Sequence, residues 1–112
     1  MTQRLVATVY GFVQGVNFRV SVKKEADKIG LTGYVKNMPN GTVKVVAEGE
    51  RSRLDILLKF LKRGPIFAKV ERVDYDFEHG KPKFSRFTVK RQGSLFHDQI
   101  CAYNNFLKNF FR

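Results

Sequence analysis

Residues 4–19 read Arg4-Leu5-Val6-Ala7-Thr8-Val9-Tyr10, then Gly11-Phe12-Val13-Gln14-Gly15-Val16-Asn17-Phe18-Arg19. The first seven are rich in β-branched and aromatic side chains and stop at a glycine, which predicts a strand. Two glycines within the next seven predict a loop. From Phe18 the apolar residues Phe18, Val22, Ala26 and Ile29 recur at helical spacing, with Lys23, Lys24, Asp27 and Lys28 on the other side. That pattern predicts an amphipathic helix, capped by Gly30.

Further along, Tyr34-Val35 leads into Asn37-Met38-Pro39-Asn40-Gly41, a hairpin signal. Its partner strand, Thr42 to Glu48, alternates Val43, Val45 and Ala47 against Lys44, Val46 and Glu48. Ser52 with Asp55 three positions later reads as an N-cap. Leu54, Leu57, Leu58 and Leu61 then form an apolar stripe that Gly64-Pro65 ends. A strand is expected from about Lys69 to Glu78 and a last one from Phe84 to Arg91, separated by the turn His79-Gly80-Lys81-Pro82. The order is β-α-β-β-α-β with an extra short strand. It predicts an α+β, ferredoxin-like sandwich with both helices on one face of an antiparallel sheet.

Residues 1–91 make up that domain, and residues 92–112 stand outside the pattern. Leu95, Phe96, Ile100, Tyr103, Phe106, Leu107, Phe110 and Phe111 recur at spacings of three to five, which predicts a helical C-terminal extension with a broad aromatic face. Such a face can cover the free side of the sheet or pair with a second copy, so the extension is the candidate route to a homo-oligomer.

The chain has 112 residues, 43% hydrophobic and 28% charged, which suits one globular domain and excludes a disordered or fibrous chain. A net charge of +11 favours anionic partners. A lone cysteine, Cys101, excludes an internal disulfide and fits a reducing compartment. No apolar run approaches membrane-spanning length, and the N-terminus lacks the apolar core of a signal peptide. A cytoplasmic location and no membrane partner are expected.

His79 and His97 stand in no metal-ligand spacing, and neither a Cys-x-x-Cys pair, a Walker loop nor a Gly-x-Ser-x-Gly elbow occurs. Neither a metal nor a cofactor is expected. Asp74 and Asp76 share the polar face of a strand and read as solvated. What carries chemistry is residues 11–19. Backbone N–H groups at a helix N-terminus have no partner inside the helix, and a glycine-bearing loop before them forms a nest for an anion. Arg19, in the first helical turn, can grip a phosphate with two N–H groups.

Val13-Gln14-Gly15-Val16-Asn17-Phe18-Arg19 resembles the signature of the acylphosphatase family. A second block, Gly30-Leu31-Thr32-Gly33-Tyr34-Val35-Lys36-Asn37 followed by Gly41-Thr42-Val43, resembles that family's second motif. The distance between the blocks fits, as do Ala26 and Glu48-Gly49. The resemblance spans roughly residues 4–91. It implies hydrolysis of the carboxyl–phosphate bond of small acyl phosphates, without metal, with inorganic phosphate as product and inhibitor. It places the phosphate in the loop Gln14, Gly15, Val16, Asn17, Phe18 and Arg19, held by main-chain N–H groups. It makes Arg19 and Asn37 catalytic, Arg19 stabilising phosphoryl charge and Asn37 orienting the attacking water. Phe12, Asn17 and the pair Val20-Ser21 depart from common family residues. In some members the terminal carboxylate lies near the catalytic arginine; here that carboxylate belongs to Arg112.

The alternative reading is a nucleic-acid-binding module, since RNA-recognition folds share this element order and the chain is basic with 11 Phe and 4 Tyr. The strand motif of that class is absent, and the aromatic residues concentrate in the C-terminal segment.

Overall fold

Strand β1 (Gln3–Phe12) leads through a short loop into helix α1 (Phe18–Lys28). Strands β2 (Thr32–Asn37) and β3 (Val43–Gly49) form a hairpin, followed by helix α2 (Arg51–Arg63), the long strand β4 (Lys69–His79) and the short strand β5 (Phe87–Lys90). These come from a computed structural model that describes residues 2–91. The expected C-terminal helix, together with His97 and Cys101, lies outside the described residues.

The five strands form one sheet in the order β4-β1-β3-β2-β5. Three neighbouring pairs are antiparallel, while β5 runs parallel to β2, with Gly33 opposite Phe87 and Lys36 opposite Lys90. The sandwich is ferredoxin-like as the element order implies, but its sheet is mixed and not wholly antiparallel. Local pattern cannot show this, because the pairing joins segments about fifty residues apart.

Both helices cover one face. Leu5, Ala7, Val9, Val35, Val43, Val45 and Ala47 point into the core against Phe18, Val22 and Ala26 of α1 and Leu54, Leu57 and Leu61 of α2. These are the alternate strand positions and the i, i+3, i+4 helix positions that the apolar pattern marks. Helix α1 ends in a Schellman motif: Leu31 N–H donates to Ala26 O at 2.9 Å and Gly30 N–H to Asp27 O at 3.2 Å, with Gly30 at φ 74°. Helix α2 starts earlier than the sequence suggests. Its N-cap is Glu50, whose carbonyl accepts from Arg53 and Leu54 N–H, and no side chain caps it. Ser52 is an exposed residue inside the first turn.

The opposite face of the sheet is crossed by residues 80–86. There Arg4 is sandwiched between Glu48, at 2.7 Å, and Glu78, at 3.5 Å, and also donates to Lys81 O. The second oxygen of Glu48 accepts from Lys83 and Phe84 N–H at 2.9 and 3.1 Å. Phe84 meets Tyr34 edge to face. Glu48 is 3% exposed, closed over by this crossing segment.

Candidate active site

The end of β1, the start of α1 and the end of β2 converge. Residue 13 leaves the strand, residues 14–17 bend, and α1 begins at Phe18, whose ring is buried and anchors the loop to the core. Asn17, the N-cap, has φ 64°, and its side chain makes no capping hydrogen bond. Asparagine tolerates this left-handed conformation better than most residues. Its carbonyl accepts from Ser21 N–H at 3.1 Å and Ser21 Oγ at 2.9 Å, which fixes the first turn. The leading N–H groups of α1 are left uncapped by any side chain of Asn17, as an anion-binding helix end requires.

Val13, Gly15, Asn17, Phe18, Arg19, Val20 and Asn37 line a cavity of about 220 Å³ at this helix end. The space exceeds by several fold the ~30 Å³ that one water occupies in the liquid. Gly15 has φ 75°, and a Cβ placed on it would meet no protein atom within 4 Å. A side chain there would therefore project into open space at the cavity rim, where a ligand must reach the backbone.

The sequence-derived site residues divide. Arg19 and Asn37, 18 positions apart, do line one cavity, with Gly15, Asn17 and Phe18. Gln14 and Val16 do not line it. Val16 packs against the core, and the Gln14 side chain turns inward, its Nε2 donating to Met38 O at 2.9 Å and Thr42 O at 3.0 Å. Val13 and Val20 also line the cavity; Val20, 43% exposed, presents an apolar edge beside Arg19.

Asn37 is buried, 5% exposed, and its Oδ1 accepts no hydrogen bond from any described residue. An unmet buried acceptor costs about 1–3 kcal/mol, which a protein tolerates where a ligand or water supplies the donor. Arg19 Nη1 donates to Lys90 O, at the end of β5, at 3.3 Å. The sequence carries no sign of this contact, because it depends on the parallel pairing of β5 with β2. Among the described residues no three His, Cys, Asp or Glu side chains gather as a metal site, and no helix is long and apolar enough to cross a membrane.

Comparison with known proteins bears on the family and the fold. The family model described as Acylphosphatase matches residues 5–89. An acylphosphatase of Acaryochloris marina is 42% identical over 87 residues, 78% of this chain and 92% of that protein. One of Thermus thermophilus is 51% identical over 71 residues, 63% of this chain and 81% of that protein. The solved structure of an acylphosphatase from Coxiella burnetii superposes with a TM-score of 0.74 at 43% identity, covering 80% of this chain and 93% of that one. A family match that reaches into all seven strands and helices, with relatives of this similarity, means that the chain belongs to the acylphosphatase family.

Proposed function

We propose that the protein hydrolyses acyl phosphates in this cavity by in-line attack of water on phosphorus. The water oxygen bonds to phosphorus as the bond from phosphorus to the acyl oxygen breaks. The carboxylate leaves, and the water's proton passes to the phosphate. Family membership supports the substrate class; the roles that follow rest on the cavity. The leading N–H groups of α1 and the Arg19 guanidinium hold the phosphoryl oxygens, where negative charge concentrates in the transition state. Asn37 carries no proton it can usefully lose, so it orients the water through its amide. An acyl phosphate has a good leaving group, so positioning and charge stabilisation suffice without a strong protein base. The observation that carries this reading is the unmet Oδ1 of Asn37 in a cavity shared with Arg19. The comparisons do not favour the nucleic-acid-binding alternative.

The test is turnover of benzoyl phosphate by the purified protein with a chelator present. Arg19→Ala and Asn37→Ala are each expected to lower turnover about 10²-fold or more, with thermal unfolding unchanged. Inorganic phosphate is expected to inhibit competitively. Near-normal turnover in either variant would remove that residue from the mechanism.

A further inference from the structure

We infer that Gln14 is a positioning residue, its carboxamide locking the turn that carries Asn37 onto the loop that carries the phosphate; the inference rests on the function proposed above. By sequence Gln14 belongs to the phosphate loop, yet the residue is 8% exposed and does not line the cavity. A primary amide has two N–H donors. Nε2 sends hydrogen bonds to two turn carbonyls, Met38 O at 2.9 Å and Thr42 O at 3.0 Å. With those donors engaged there, the amide is not a phosphate ligand.

The two carbonyls are the ones that shape the turn. Met38 N–H donates to Thr42 O at 2.9 Å, and Gly41 N–H donates to Met38 O at 3.1 Å. Gln14 thus grips both ends of the segment between β2 and β3, across 24 and 28 residues of sequence. Met38 directly follows Asn37. The groups that hold phosphate sit on one side of this clasp, and the amide that holds water sits on the other. Their separation sets the line of attack, and a shift of about 1 Å in such a pair can cost about 10²-fold in rate.

The clasp makes predictions that simple structural support does not. In Gln14→Leu, kcat is expected to fall about tenfold or more, while the inhibition constant of inorganic phosphate stays within about twofold of wild type. In an Asn37→Ala background the same substitution should cost less than about twofold, because no amide remains to misplace. Gln14→Glu keeps the shape but turns a carboxylate toward two carbonyls. Its activity relative to wild type should be low at neutral pH and recover in part as acid restores a proton that can be donated to one carbonyl. Should Gln14→Leu fail to fold, Gln14→Glu carries the kinetic test, and through-hydrogen-bond NMR couplings from Nε2 to the Met38 and Thr42 carbonyl carbons should be seen in the unmodified chain. A wild-type kcat in Gln14→Leu, a phosphate inhibition constant that rises in step with the loss, an undiminished loss in the Asn37→Ala background, or missing couplings would each overturn the inference. If Arg19→Ala and Asn37→Ala are themselves active, the functional reading has failed; if both are inactive while Gln14→Leu is fully active, only the clasp has.

Discussion

Asn17 shows how much one backbone angle contributes to the site. Among the described residues it is the only non-glycine with positive φ, and it stands where the loop turns into α1. A β-branched side chain cannot adopt that conformation without strain. Asn17→Val is expected to destabilise the protein by about 1–3 kcal/mol in urea unfolding and to weaken phosphate inhibition, because the helix end would reorient. Asn17→Gly should stay near wild type in both measurements, since glycine adopts positive φ freely. At this scale the sequence is partly legible. The motif residues Arg19 and Asn37 do line one cavity, because strand and helix boundaries set by hydrophobic period place them there. The direction of the Gln14 side chain was not legible, because it depends on two carbonyls more than twenty positions away.

The secondary-structure elements were legible wherever an apolar face repeats. Helix α2 buries Leu54, Leu57, Leu58 and Leu61 as its spacing requires. Leu57, fully buried between α2 and the sheet, should cost about 2–5 kcal/mol when cut to alanine, read as a lower unfolding midpoint. Its exposed neighbour Ile56, 47% accessible, should tolerate the same change to within about 0.5 kcal/mol. Boundaries were less legible. Ser52 has the chemistry of an N-cap, but the helix starts one residue before it, at Arg51, with Glu50 supplying only its carbonyl. The parallel placement of β5 was not legible at all. Four residues at a sheet edge carry too little pattern to announce their partner or its direction. That placement still matters to the site, because it brings Lys90 O to Arg19.

Across the whole molecule, the buried ion pair is where alternation misleads. Glu48 sits on the strand face that reads as polar, yet residues 80–86 close over it. Burial pushes the Glu48 carboxyl up, but hydrogen bonds from Lys83 and Phe84 N–H and from Arg4 outweigh this and hold it below its ordinary value of 4.5. A carboxyl lowered on folding contributes stability above its unfolded pKa, and that contribution is lost as pH falls through the folded value. Thermal stability should therefore decline on acidification below about pH 4.5, and Glu48→Gln should flatten that decline while lowering the neutral plateau. The same segment also has a length to answer for. Strands β4 and β5 are consecutive in the chain but occupy opposite edges of the sheet, four inter-strand steps or about 19 Å apart. Eight residue-to-residue steps, from His79 to Phe87, reach at most about 27 Å when extended. The girth of the sheet thus uses up most of the available tether. Removing three residues from 80–86 would leave about 17 Å, too short for the crossing, so β5 would be pulled off its edge and Arg19 would lose its carbonyl, whereas added glycines would merely bulge outward.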